Sequence, residues 1–512
     1  MAINEQALTS DEETLHQLGY AQELRRRMSG FSNFAVSFTI ISILSGCLTL
    51  YYFGMDEGGP AVIVWGWPIV GIMTLLVGLS MAEVCSSFPT AGGLYYWAAK
   101  LAPRNGPAWS WFTGWFNFLG QVAVTAGIDF GAAFFINFLL DLWFNFSVAT
   151  HWHTILIYAI VLLVHGLLNQ FGIQLVALLN NVSVWWHITG VLIIVGAVTF
   201  GLKVGAHHAS AKFVFSDLQN GSGFHIGWWY IVPVGLLLAQ YTFTGYDASA
   251  HMTEETHGAA RSGPRGIVMS ILISLIAGWI LLIGITFAIQ QGNYAGEAAA
   301  GTAAPAQIWI DSIGRTGAEL LLLIVIGAQL FCGMSSVTAN SRMIYAFSRD
   351  GALPGSRIWH RVNPRTRTPT NAIWLAAAGA LILGLPYLWN GAAYGAVTSI
   401  ATIGLYIAYV SPTFLRLRQG DRFQRGPWHL GRWSYLIGWT AVVWVVFIAI
   451  LFMLPQFGPI GYATFNYACI AVAVVIGYAG LTWMLSARHW FTGPKVQGSA
   501  EELAAIEREL SA

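Results

Sequence analysis

The chain has 512 residues, of which 56% are apolar and only 9% charged, with a mean hydropathy of +0.61. A soluble chain carries roughly 25% charged residues, so lipid must be the solvent for most of this surface. The formal net charge of +1 excludes the basic face that nucleic-acid binding requires. The cysteines Cys47, Cys85, Cys332 and Cys469 all fall in or at the end of apolar runs, so neither a disulfide nor a metal cluster is indicated.

In chain order, segment 1–30 carries Glu5, Asp11, Glu12 and Glu13 and then Arg25, Arg26 and Arg27; it lacks the apolar region and cleavage site of a signal peptide. A bilayer core of about 30 Å takes about 20 apolar residues per helix. On that measure twelve spans follow: 31–53, 62–85, 108–140, 154–171, 182–202, 229–251, 267–290, 317–347, 370–389, 394–415, 433–454 and 462–485. They are called spans one to twelve below. Most are joined by short loops, the longer ones being 203–227 on the outside and 349–367 on the inside. With the N-terminus inside, every Lys and Arg except Lys203, Lys212 and Arg315 falls in an inner segment. That asymmetry predicts cytoplasmic termini. The tail, 487–512, reads as a solvated amphipathic helix opened by Ser499 with Glu502 three residues on, a capping box. There is no second domain: 31–486 forms one membrane unit.

Span one reads FAVSFTIISILSGCLTLYYF over 34–53, with Ser42, Ser45 and Gly46 at mid-membrane where a plain anchor would carry Leu or Val. Span six likewise holds Thr244-Gly245 inside GLLLAQYTFTGYDASAH. Five spans separate the two, so the blocks 31–202 and 229–415 run in opposite directions, leaving 433–485 as two further helices. Irregular backbone survives at membrane depth only against protein or a water-filled cavity. Paired breaks in two inverted halves mark a transporter's binding site. Glycine also lets helices pack closely; two at matching places favour a site.

Three stretches carry a family likeness: SGCLTLYYFGMDEGGPA at 45–61, continuing to AEVCSSFPTAGGLYYWA at 82–98; QYTFTGYDASAHMTEET at 240–256, with PRGI at 264–267; and SRMIYAFSRDGALP at 341–354. With them the chain resembles the amino acid–polyamine–organocation permeases, in the branch of amino acid, GABA and choline permeases. The resemblance implies an all-α membrane fold of the leucine-transporter type, with two inverted five-helix repeats and two peripheral helices. It implies secondary active transport of a small amino acid or related, GABA-like amine across the plasma membrane by alternating access, with protons as the partner ion and no cofactor. An exchanger of the same fold is the nearest alternative. Spacing to Gly59-Pro60 sets Ser45-Gly46 against the family's unwound segment. Leu44 stands where the family usually has a first glycine, and Cys47 follows the second.

The resemblance also distributes roles. The backbone N–H groups of Ser45, Gly46 and Cys47 would take a substrate carboxylate. Carbonyls near Ser42 and along Tyr241, Thr242, Phe243 and Thr244 would take the ammonium. Tyr241 aligns with the family's aromatic gate, Phe243 being the alternative. Gln121, Thr125 and Asp129 recur at i, i+4 and i+8 in span three. Asp129 is an intramembrane carboxylate and so a functional candidate, able to meet a substrate amine, a cation, the span-eight group Ser335, Ser336 and Thr338, or simply a neighbouring helix. Asp247 is expected to pin backbone or a neighbouring helix. Glu83, Glu254 and Glu255 read as inner gate or loop contacts. His187 in span five occupies a place where related permeases carry a lysine beside helix one; a histidine there could take and release a proton. His165 with Asn169 reads as helix glue.

A membrane-embedded enzyme would need a catalytic cluster. His151 with His153, and His207 with His208, lie in outer loops without carboxylates at metal spacing. No filter-like repeat of a channel and no ATP-binding P-loop occurs. The sequence does not choose between monomer and homo-oligomer.

Overall fold

The computed structural model describes residues 5–147, 150–171, 173–496 and 498–511. Among them are eleven helices long and apolar enough to cross a membrane. The expected span six is not one of the eleven. It is divided into Trp228–Gly235, Leu237–Thr242 and Ala248–His251, because Pro233 interrupts the backbone ladder and Gly245 takes a positive φ of 88°. The twelve expected spans are therefore ten continuous ones and two, spans one and six, whose helices are interrupted.

Burial separates core from periphery. Within the most apolar stretch of each, 89% of span one and 83% of spans three and ten is buried inside the protein, against 17% of span twelve. Span seven (Ala259–Ala288) lies along span two (Gly59–Ser87), and span ten (Ala393–Gln419) lies along span three (Gly106–Phe144). Trp65, Ile69 and Ile72 of span two are exposed at helical spacing, a stripe that fits lipid.

Outside the spans, the short helices Tyr294–Ala299 and Ala304–Ile313 stand between spans seven and eight. The terminal segments meet on one face. His16 Nε2 lies 2.8 Å from Glu507 Oε1, and the Gln22 N–H donates to the same oxygen at 2.6 Å. The tail forms a helix, Ala500–Ser511, opened by the reciprocal bonds of Ser499 and Glu502. It is not simply solvated, however: Leu503 is buried and Glu507 is docked on the N-terminal segment.

Candidate functional site

Span one ends its inner half, Gly30–Ile41, at Ser42, a non-glycine residue in the left-handed region (φ 37°, ψ 80°). That conformation is costly for an L side chain, and here the Ser42 hydroxyl is held 2.7 Å from His187 Nε2. The helix resumes at Gly46. Between the halves, the Ser45 and Gly46 N–H groups donate to the Ser42 carbonyl at 2.7 and 3.1 Å. The N–H groups of Ile43, Leu44 and Cys47 and the carbonyl of Ile41 have no hydrogen-bond partner among the described residues. The break thus occupies residues 42–45, with Gly46 and Cys47 opening the outer helix. Leu44 needs no glycine-like conformation there. Gly46 is required by contact instead, since a Cβ on it would sit 2.5 Å from Thr242 Oγ1 and 2.9 Å from Thr242 Cα.

Span six breaks opposite. The Thr242 and Thr244 hydroxyls donate back to the carbonyls of Leu238 and Tyr241, both at 2.7 Å, competing with the helix ladder. A Cβ on Gly245 would lie 2.1 Å from Ile40 Cγ2, so the two broken spans touch at both breaks. The Phe243 carbonyl accepts from Tyr406 Oη at 2.9 Å, and the Gly245 N–H donates to Tyr409 Oη at 3.2 Å. Asp247 ties the segment down, accepting from Tyr409 Oη and Gln121 Nε2, each at 2.7 Å.

The two candidate gates part company. The Phe243 ring packs on Trp67 of span two, centroids 4.3 Å apart and planes tilted by 32°. Tyr241 reaches toward span three: its buried hydroxyl has no hydrogen-bond partner among the described residues and lies 2.5 Å from where a Cβ on Gly127 would be. One turn on, a Cβ on Gly131 would lie 2.7 Å from Thr49 Cγ2, 3.3 Å from Gln329 Nε2 and 3.5 Å from Tyr394 Oη. Gln329 accepts from the Ser45 hydroxyl at 2.6 Å through Oε1, while its Nε2 is buried and unpartnered. Unspent polar atoms of spans six, eight and ten (Tyr241 Oη, Gln329 Nε2 and Tyr394 Oη) therefore converge on two span-three glycines, with the Thr49 methyl of span one beside them. Buried polar groups are normally satisfied, so this convergence is the mark of a polar ligand's place. Sequence reasoning missed Gln329, Tyr394, Thr49, Gly127 and Gly131. Two signals were available: a lone Gln in the apolar run LLLLIVIGAQLF, and glycines at i, i+4 in span three.

The polar face of span three fans out rather than converging. Each four-residue step rotates a side chain by about 40° around the helix. Gln121 accordingly meets Asp247 of span six, Thr125 meets Ser336 of span eight at 2.9 Å, and Asp129 meets His165 of span four at 3.1 Å. Asp129 and Ser336 are thus not among the groups that gather at the breaks. Nor do the other span-eight polar groups meet Asp129: Ser335 donates to Asn180, and Thr338 donates to Asn169 Oδ1 at 2.6 Å.

His187 lies against the break as expected. Its Nε2 faces the Ser42 hydroxyl, and its Nδ1 lies 2.8 Å from the Ser183 carbonyl. With Nδ1 protonated and Nε2 accepting, a neutral ring completes both bonds, and no carboxylate pairs with it among the described residues.

Ion pairs gather on the side where the N-terminal segment docks. Arg342 Nε lies 2.8 Å from Glu255, Arg349 3.2 Å from Glu254, and Arg416 3.0 Å from Glu83, all buried. The Arg27 and Met28 N–H groups donate to the Glu255 carbonyl at 3.0 and 2.8 Å. Beneath lies a cleft of about 210 Å³ bordered by Arg25, Arg27, Asn180 and Glu255. At the opposite end, a cleft of about 440 Å³ is bordered by Tyr52, Asp56 and Phe457. Between spans one and two, burial raises Asp56 to about 6. Burial, reinforced by the Asp56 charge, raises Glu57 to about 9, and neither Glu57 side-chain oxygen has a hydrogen-bond partner among the described residues.

Two discontinuous spans facing one another inside an otherwise continuous helical shell define a membrane transport protein. The amino acid permease family model matches residues 28–476, and the chain belongs to that family, a family of transporters rather than enzymes. It is 46% identical over 496 residues to the amino-acid permease BAT1 homolog of Oryza sativa subsp. japonica, covering 94% of each chain. It is 45% identical over 504 residues to the amino-acid permease BAT1 of Arabidopsis thaliana, covering 95% of this chain and 96% of that one. A more distant relative is the GABA-specific permease of Saccharomyces cerevisiae, 34% identical over 501 residues, with coverage of 96% and 87%.

Proposed function

We propose that this amino acid permease is a secondary active transporter of a small zwitterionic amino acid or GABA-like amine, driven by protons and working by alternating access. The observation that carries this reading is the convergence of unpaired N–H groups at Ile43, Leu44 and Cys47, the Ile41 carbonyl, and the free Tyr241 and Gln329 groups. A zwitterion in a low-dielectric cavity needs both charged ends satisfied. The break supplies donors for the carboxylate and a carbonyl for the ammonium without a protein charge. In this reading Ser42, Ser45 and Gly46, the last two spending their N–H groups on the carbonyl of the first, fix the shape of the break rather than bind the carboxylate as expected, while the N–H groups of Ile43, Leu44 and Cys47 and the carbonyl of Ile41 hold the two charged ends. Tyr241 covers them, and Thr242, Phe243, Thr244 and Gly245 shape the facing wall through their backbone. Clefts at opposite ends of the molecule support alternating access, since opening either toward the breaks exposes the same groups.

His187 ties span five to the inner half of span one through its 2.7 Å contact with Ser42, so the two move together in the cycle. Repeats of 31–202 and 229–415, cytoplasmic termini and a plasma-membrane location complete the proposal, supported by the distribution of Lys and Arg.

The test uses the full chain in liposomes. Thermal shift against amino acids and amines first selects a ligand, because a ligand stabilises the native state by mass action. Uptake of that ligand is then measured with and without an inward pH gradient. Accumulation only with the gradient is expected; uptake that needs internal substrate and ignores the gradient identifies an exchanger and ends the proton-driven reading.

A further inference from the structure

We propose that Asp129 and His165 together form the binding site of the coupling proton, a site that rests on the proton-driven reading above. Asp129 is 0% and His165 1% exposed. Imidazole Nδ1 lies 3.1 Å from Asp129 Oδ1 but off the line of a hydrogen bond. Both carboxylate oxygens and Nδ1 therefore have no hydrogen-bond partner among the described residues. A buried carboxylate without hydrogen bonds or counter-charge is among the costliest groups a protein can hold. With a neutral imidazole the pair carries one uncompensated negative charge; one added proton, on either partner, brings it to zero.

The surroundings favour a proton over any other cation. A hard metal ion takes about six or more oxygens, and here one carboxylate faces one imidazole. The titratable groups facing the pair are Tyr158 of span four, Tyr241 of span six and Cys332 of span eight. All are uncharged near neutral pH on their ordinary values. No Lys, Arg or second carboxylate pairs with Asp129 among the described residues. Space for the pair is made by Gly333, where a Cβ would fall 1.7 Å from Asp129 Oδ1 and 2.7 Å from His165 Cε1.

Span eight links this site to the break. Gly333 touches the pair; its neighbour Cys332 donates from Sγ to the Ile40 carbonyl at 3.2 Å; and Gln329, one turn away, accepts from Ser45 at 2.6 Å. One helix therefore senses the charge of Asp129–His165 and holds both sides of the span-one break. In the cycle, a hydronium from the outer water gives its proton to the pair and leaves as water. When the inner side opens, the proton passes from the pair to cytoplasmic water, restoring the negative charge.

The experiment has a readout that needs no substrate. Infrared difference spectra of the reconstituted full chain between about pH 5 and about pH 8 should show a buried titration in the wild type. It should be absent from both Asp129→Asn, which keeps the side-chain shape, and His165→Gln, and intact in His187→Ala. Radiolabelled GABA and alanine then report on coupling at zero membrane potential, where one pH unit sustains about tenfold accumulation per proton. Both variants should keep counterflow exchange and lose gradient-driven accumulation. Either variant, once shown folded by size exclusion, carries the test alone. A titration that survives in Asp129→Asn or His165→Gln, or gradient-driven accumulation unchanged in them, overturns the proposal. If wild-type uptake itself ignores the gradient while the titration is lost in the variants, the proton-driven reading fails instead and the pair is a proton site without a coupling role.

Discussion

Two buried histidines, His187 against the break in span one and His165 against Asp129 of span three, have surroundings that differ in one respect that decides what each can do. His187 has a hydroxyl at one ring nitrogen and a backbone carbonyl at the other, so a neutral ring is complete and an added proton finds no counter-charge. His165 faces the carboxylate of Asp129 with no hydrogen bond formed, so the neutral ring leaves a charge unpaired. Burial and residue type are the same in both places. A histidine in a membrane span thus acts as a structural tie or as a proton carrier according to its partner, and position in the chain does not reveal which.

The variants that probe this comparison fall in order of expected effect. Gly46→Leu forces a side chain into Thr242 and should abolish substrate binding, with uptake lowered about 100-fold or more, while the protein remains folded and inserted. Normal transport by that variant would reduce span one to packing. Gly333→Ala drives a methyl group into the Asp129–His165 pair. It should cost about 1–3 kcal/mol of stability and weaken gradient-driven accumulation more than counterflow; an equal loss in both would make Gly333 a packing residue only. His187→Ala removes a neutral hydrogen bond to Ser42, a loss of about 0.5–1.5 kcal/mol. Uptake should slow severalfold while the remainder still follows the pH gradient. Complete loss of gradient driving with binding intact would move the proton to His187.

The smallest effect concerns Glu57, a buried carboxyl outside the spans with neither a histidine nor any hydrogen bond. Folded, burial holds its proton to about pH 9, whereas in the unfolded chain a glutamate carboxyl releases it near 4.5. The native state therefore binds the extra proton between these values, and stability falls as pH rises through that window. Glu57→Gln should flatten the decline of Tm with pH by a few degrees; an unchanged slope would show that Glu57 is hydrated.

Much of the architecture was legible in the sequence because lipid imposes long apolar runs and loops carry the charge bias. Ten spans appear as single helices, and the sixth fails to do so at the Thr244-Gly245 pair that marked it. The break in span one was legible through Ser42, Ser45 and Gly46. Its placement at 42–45 was not, because it depends on a hydroxyl–imidazole contact between residues 42 and 187. Gln329 carried a signal as a lone amide in an apolar run, whereas Tyr394 did not, because nothing local distinguishes a helix face turned to a cavity from one turned to a neighbour. Asp129 was visible as a costly charge, yet which of its possible partners it meets was not: three residues on one stripe rotate by about 40° at each step and end on three different helices. What the sequence by itself determined is the membrane class, the family and the two weak points in the helices, all of which follow from local composition. The direction each buried polar group faces was decided only by tertiary packing, because every partner that satisfies it, or leaves it unsatisfied, comes from a distant part of the chain.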